Sequence, residues 1–426
     1  MPTDDVVDAG LLAPLGPDGP ELIGDAAVLD ALVTVELALA RAWARQGVSP
    51  EASDRASAAL GWAGRGNLAT GHGLDVATLA AQGAAGGNPV IPLVGALRER
   101  LDGADRAALH RGATSQDVLD SALMLIVRRA TERIVTDARA AERALARLID
   151  THRASPAVAR TLGQHAVPTT IGLRLAPRLV ALRRARSQVE SAAAALPAQF
   201  GGAAGTLAAA VEHARMAGHG DPRGSALEVA AALADELALA APELPWHVTR
   251  WPVTEVGDAL TRLIDAAGAL AADVALLSRS EIGELSEGTP GGSSAMPHKR
   301  NPVDAVLIRG AALRAPFLAA TLHAAAAQAV DQRPDGAWHA EWPTLRDLTR
   351  LALGTAAALA RLTDGLIVDT AAAARHLAAS AADVLAERRA VVGADSPEAH
   401  DLDPSHYQGA ADALVDRALD EAGGER

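Results

Sequence analysis

At 426 residues, 49% of them hydrophobic, the chain can bury a large core and is too apolar to be disordered, while 2% aromatic content favours close-packed Ala- and Leu-rich helices over strands. A formal net charge of −13 argues against a general nucleic-acid or anionic-membrane binder, so any site for an acidic substrate must be a local cluster of cations. Cysteine is absent, which removes disulfides, thiol catalysis and thiolate metal sites.

The opening residues 1–8 are acidic and lack the basic-then-apolar order of a signal peptide. No run of about 18 uninterrupted apolar residues occurs, so a cytoplasmic protein away from membranes is expected. Pro14, Pro17 and Pro20 make an irregular lead-in. Leu29, Leu32, Val33, Leu37, Ala40 and Trp43 then recur at helical spacing and predict a helix from Asp25 to about Gln46. Short helices separated by glycines follow to about residue 85. Gly86-Gly87-Asn88-Pro89 is a turn, and a helix covers about 92–102.

Thr114-Ser115-Gln116-Asp117 fits a capping box, and Leu119, Leu123, Ile126, Ala130, Ile134, Ala141, Leu145 and Leu148 continue from it at spacings suited to one long helix. Such a helix reaches about 55 Å and belongs in a bundle. Arg160 to Pro168 reads as a loop, and 169–196 as a second long helix containing Pro177. After the glycine-rich loop Gly201–Thr206, helices are expected over about 224–240, 252–285 and 302–330. Arg333–Pro343 reads as a loop, with helices over 343–364, 368–390 and 408–421. The fold class expected is all-α in three helical domains. These are an N-terminal domain (1–105), a central long-helix bundle (106–350) carrying the motif loops, and a small, shortened C-terminal domain (351–426).

Three segments concentrate polar chemistry at helix ends. The first is Thr114–Asp117, where hydroxyls and free N–H groups suit a carboxylate. The second holds Gln164 and His165. The third is Gly288-Thr289-Pro290-Gly291-Gly292-Ser293-Ser294-Ala295-Met296-Pro297-His298-Lys299-Arg300-Asn301-Pro302, whose glycines permit positive φ and movement while Pro297 and Pro302 stiffen its second half. By composition alone it is a solvated linker; by its order of hydroxyls and cations it can close over an anion. Arg333, followed by proline, can point into a cleft. No metal-ligand spacing and neither phosphate-loop pattern occurs, so no metal and no nucleotide cofactor is expected. His213, His219 and His247 are scattered.

The order and spacing of these segments resemble the fumarase/aspartase superfamily. Its three motifs are matched by Gly112–Asp117, Thr161–Pro168 and Gly292–Pro302, and the likeness covers roughly residues 10–390. The resemblance implies a cofactor-free homotetramer on a helical bundle, acting on a small polycarboxylate, with each active site drawn from three subunits. By motif position Ser293, rather than Ser294, matches the proton-transferring serine of a mobile loop. Lys299 and Asn301 match groups that hold the substrate carboxylate and stabilise its enolate form. Thr114, Ser115 and Gln164 match substrate-binding positions, and Arg333 a cycloisomerase arginine. His165, Ser294 and Met296 complete the expected binding set.

Gly87–Val94, His110–Leu125, Gln164–Thr170, Gly201–Leu207 and Arg333–Trp342 are most similar to bacterial 3-carboxy-cis,cis-muconate cycloisomerases. That likeness implies lactonisation of 3-carboxy-cis,cis-muconate to 4-carboxymuconolactone, in the protocatechuate branch of the β-ketoadipate pathway, through an aci-carboxylate intermediate. Three departures stand out. Leu162 occupies a position where adenylosuccinate lyases carry histidine, which fits a leaving group needing no proton. The sole tyrosine is Tyr407, so the N-terminal Arg-Tyr pair of those lyases is absent. The segment 393–401 is short. A lyase releasing fumarate from a substituted succinate such as nitrosuccinate, and a non-catalytic scaffold of the same fold, are the alternatives.

Overall fold

The computed structural model describes residues 11–15, 19–393 and 395–420; the acidic opening at 1–8, Pro17 and the final position of the helix expected over 408–421 lie outside them. Helix α1 (Asp25–Arg45) follows the expected apolar spacing but is wrapped on all sides, with every residue from Ala31 to Ala40 buried. Glu36, inside it, is paired with His110 Nδ1 at 2.7 Å.

Helix α2 (Ser115–Thr151) begins at the expected capping box. Thr114 N donates to Asp117 Oδ2 at 2.9 Å, satisfying an N–H that the first turn leaves open. Its 37 residues span about 55 Å. The stripe Leu119, Leu123, Ile126, Ala130, Ile134, Ala141 and Leu145 is buried. Against it pack α3 (Ile171–Ala195) and α6 (Gly336–Asp364), with α4 (Trp251–Leu277) and α5 (Val303–Ala327) completing a five-helix bundle. Pro177, Pro316 and Pro343 lie inside α3, α5 and α6 without ending them.

The helices alternate in direction, so the bundle has two chemically distinct ends. At one lie Thr114, the approach to α4 and the loop before α6: Gln116 Nε2 donates to His247 O at 3.0 Å and Arg333 Nη1 to Thr114 Oγ1 at 2.9 Å. At the other lie the end of α2, the start of α3, and the segment joining α4 to α5.

Several local expectations are corrected. Residues 160–168 are no loop. Strands β1 (Pro156–Thr161) and β2 (Gln164–Thr170) form an antiparallel hairpin in which Thr161 pairs with Gln164. A second small pair joins β3 (Leu285–Glu287) to β4 (Leu366–Val368), tying the chain before the lid to the end of α6. Helix α4 stops at Leu277, short of 285. Most of Arg333–Pro343 is helix, since α6 starts at Gly336. The helix expected over 368–390 is three, Thr370–Ala379, Ala381–Val384 and Ala386–Val392.

Helix α5 is long and apolar enough to cross a membrane by length and composition, yet it packs between α4 and α6. Its outward face is itself apolar: Val306, Leu313 and Phe317 are 53%, 75% and 76% exposed.

Candidate active site

At the Thr114 end, Asp117 is the organising group. Its buried carboxylate accepts from Gly201 N (2.9 Å), Gly202 N (3.0 Å) and Thr114 N (2.9 Å), and it pairs with His247 Nε2 at 2.7 Å. This fastens the Gly201–Thr206 loop onto the start of α2. Glycine is required at 201 by space: a Cβ there would sit 2.7 Å from Pro245 Cβ and 2.8 Å from His247 Cε1. Arg333 crosses the same junction, giving Nη1 to Thr114 Oγ1 and Nη2 to Ala203 O at 3.0 Å. Thr114, Ser115 and Arg333 therefore sit together, half-buried, as a cation beside two hydroxyls at a helix N-terminus.

One turn deeper, Arg250 is enclosed by Asp120 (2.8 and 3.0 Å) and Glu341 (3.0 and 2.7 Å), with Trp338 Nε1 donating to Asp120 Oδ1 at 2.9 Å. This network locks α2, α4 and α6 in register beneath the junction. An apolar cavity of about 290 Å³ lies behind it, between Leu29, Leu79, Leu119 and Trp342. It contains none of the expected site residues.

At the opposite end, Glu284 is the corresponding anchor. It is fully buried and receives Arg160 through both nitrogens (2.6 and 3.2 Å) and Arg174 at 2.5 Å. Burial pushes its carboxyl up, but the hydrogen bonds and charges of the two arginines outweigh that and hold it below the ordinary glutamate range. Arg160 belongs to the hairpin and Glu284 immediately precedes the lid strand, so this triad fixes the second motif to the root of the third. Gln164 and His165 are exposed on β2. His165 Nδ1 meets Ser380 Oγ at 2.5 Å; burial, then the charges of Arg160 and His376, lower its imidazole.

The lid is a pinched loop. Gly291 and Asn301 exchange two backbone hydrogen bonds of 2.9 Å, and the Asn301 side chain donates to Gly292 O at 2.9 Å. None of Gly288, Gly291 and Gly292 has positive φ, so the conformational freedom that the sequence permits is not used in this arrangement. Gly291 is required by contact instead, because a Cβ there would lie 2.0 Å from Val303 Cγ2. Within the loop, Ser293 Oγ accepts from Met296 N at 3.1 Å and Ala295 N at 3.4 Å. Ser294, Met296 and Lys299 are exposed along the rim. Of the chain's 39 lysine and arginine residues, Lys299 alone is lysine. A compact ammonium is kept where a planar guanidinium serves everywhere else.

The expected residues thus fall into two groups: Thr114, Ser115 and Arg333 at one end, and Gln164, His165, Ser293, Ser294, Met296, Lys299 and Asn301 at the other. The length of α2 separates them, about 55 Å. Asp117 and His247 were not singled out as a unit by sequence; Asp117 read as a cap, and its partner lies 130 residues away. Among the described residues, no group of three or more His, Asp or Glu side chains is placed to hold a metal ion.

Residues 23–316 match a lyase family. A nitrosuccinate lyase of Streptomyces davaonensis is 42% identical over 97% of this chain and 95% of its own length. A 3-carboxy-cis,cis-muconate cycloisomerase of Pseudomonas aeruginosa is 38% identical over 94% and 93%. Among solved structures, the 3-carboxy-cis,cis-muconate lactonizing enzyme of Pseudomonas putida superimposes with a TM-score of 0.83 at 33% identity, covering 97% of this chain and 99% of that one. A fumarate lyase of Mesorhizobium sp. BNC1 gives 0.80 at 28% identity, covering 95% and 97%.

Proposed function

Because the chain belongs to the lyase family of the fumarase/aspartase superfamily, we propose that it removes a stable anion from the carbon β to a carboxylate of a substituted succinate, releasing fumarate, with nitrosuccinate as the substrate. The observation that carries the elimination chemistry is the setting of Ser293, a hydroxyl oxygen already receiving two backbone N–H groups inside a pinched loop. Those donors stabilise an alkoxide, which serine cannot otherwise hold near neutral pH. The choice of nitrosuccinate follows the 42% identity to the nitrosuccinate lyase.

In the reaction, the C–H bond next to one substrate carboxylate breaks and its proton passes to the Ser293 oxygen. The electron pair moves onto that carboxylate as an aci-carboxylate, which Lys299 and Asn301 neutralise and hydrogen-bond. The pair then returns to form the double bond, the C–N bond breaks, and nitrite departs with its electrons. Thr114, Ser115, Gln164 and Arg333 hold the other carboxylate and the leaving group. Leu162 offers no proton, which suits an anion that needs none.

The separation of the residue groups supports a site shared between copies, and the outward apolar face of α5 supports their packing into a homotetramer. The second reading, lactonisation of 3-carboxy-cis,cis-muconate, is favoured by the cycloisomerase relatives and uses the same intermediate with a carboxylate as the bonded group.

A panel of nitrosuccinate, 3-carboxy-cis,cis-muconate, malate, aspartate and adenylosuccinate, followed by nitrite and fumarate release or loss of muconate absorbance, decides between the two. Ser293→Ala is expected to lower kcat on the true substrate by about 10²- to 10⁴-fold. Turnover within a few-fold of the parent would end the proposal.

A further inference from the structure

Behind the Thr114 end, where α1 and the helix Val76–Gly86 face α2 and α6, the chain leaves a cavity of about 290 Å³. Leu29, Leu79, Leu93, Leu119, Leu123 and Trp342 line most of it, and the five leucines are buried. Close-packed interiors keep few voids larger than a water molecule, and an apolar cavity of about 150 Å³ already takes up benzene. This one is about twice as large.

The wall carries one unused polar group. Trp342 Nε1 is buried and meets no acceptor among the described residues. The indole is wedged in place: its ring lies edge-on to Trp338, 4.6 Å away, and beside His339, 4.5 Å away, and Trp338 is itself fixed by its bond to Asp120. The charged groups of the wall, Asp25 and Arg346, pair with each other at 2.6 Å, and Arg346 Nε also donates to Ile23 O at 2.7 Å. The Asp25 side chain is 65% exposed, so this pair marks the mouth. A water beside the indole would lack the two to four polar partners that hold a buried water. A buried donor in an otherwise apolar wall calls for an apolar molecule that brings its own acceptor.

We propose that this cavity is a second ligand site, for an uncharged compound of about two fused rings that presents one carbonyl oxygen to Trp342 Nε1. The volume sets the size. The charge follows from the wall: its one cation, Arg346, is already taken by Asp25, so a carboxylate inside would have no counter-ion. Entry is past the Asp25–Arg346 pair, and a partly exposed ion pair separates at little cost. Thr114, Ser115 and Arg333 do not line the cavity, so its occupant and a polycarboxylate can be bound together.

The test titrates the intact assembled protein by calorimetry with two matched probes, indanone and indane, which differ only in the carbonyl group. In the parent, indanone is expected to bind once per chain and more tightly than indane. Trp342→Phe keeps a ring but removes the donor, so indanone should weaken about three- to tenfold while indane changes by less than about twofold. Ala80 lies at the exposed end of the lining; Ala80→Trp should block uptake of both probes at an unchanged melting temperature. Excess fumarate should leave indanone binding unchanged. A parent that takes up neither probe, or that binds indane the more tightly, overturns the inference. So does a Trp342→Phe variant with the parent's indanone affinity, an Ala80→Trp variant that still binds both probes, or competition between indanone and fumarate. Should Trp342→Phe fail to fold, the parent's order of the two probes and the Ala80→Trp result decide.

Discussion

Replacing Glu284 by glutamine removes the one negative charge lying between Arg160 and Arg174. The parent carboxylate is fully buried and the two guanidiniums are 14% and 15% exposed. Removing one partner of a buried pair costs about 3–5 kcal/mol. Water can reach both arginines in part, and the amide oxygen keeps one acceptor, so the lower end, about 3 kcal/mol, applies. At about 2.1 cal/mol/K of unfolding entropy per residue, the 426-residue chain has about 0.9 kcal/mol/K, and the melting temperature should fall by about 3 °C. The same carboxyl sets an acid limit. Its folded pKa lies below the unfolded value of about 4.3, so its stabilisation is complete above that value and is lost as pH falls through the folded one. Scanning calorimetry from pH 7 to pH 3 should therefore show parent and Glu284→Gln well separated at neutral pH and converging in acid. Turnover should fall as well, because the hairpin and the lid lose their common anchor. Equal melting temperatures at pH 7, or a gap that persists unchanged at pH 3, would refute the assignment of this triad as the clamp.

Phe317→Asp places a charge on the exposed apolar stripe of α5. Light scattering should show the assembly falling to smaller species, with loss of turnover; a full-mass or fully active variant would contradict the shared site. Arg333→Ala removes the bonds to Thr114 and Ala203. In the proposed site Arg333 also gives the substrate a charged hydrogen bond of about 1.5–3 kcal/mol, whose loss predicts a KM raised about tenfold or more, measured by steady-state kinetics, and an unchanged KM would remove Arg333 from the binding set.

What the sequence made legible was local. The cap at Thr114–Asp117 and the apolar stripe of α2 depend on neighbours three and four residues apart, and both stand as read. The hairpin at 156–170 escaped because Leu162-Gly163 lacks the Asn-Gly or Asp-Gly pair that signals a type I′ turn. The Asp117–His247 latch and the Arg160–Glu284–Arg174 triad escaped because each joins residues more than 100 positions apart. The lid glycines were assigned freedom when two of them answer to crowding, by Val303 at Gly291 and by Gly365 O at Gly288. Lys299 was legible by motif position, and its being the sole lysine is a second signal in the sequence.

That solitary lysine makes the lid chemically addressable. Apart from the amino terminus, the chain offers amine-directed reagents a single primary amine, and it is exposed. With the α-amino group blocked first, a succinimidyl fluorophore added at mildly alkaline pH would report lid motion from one known position without any engineered residue. A lysine-specific endoprotease would cut the polypeptide once, between Lys299 and Arg300, giving two fragments of 299 and 127 residues. The rate of that single cut, with and without a bound polycarboxylate, measures how far occupancy closes the loop.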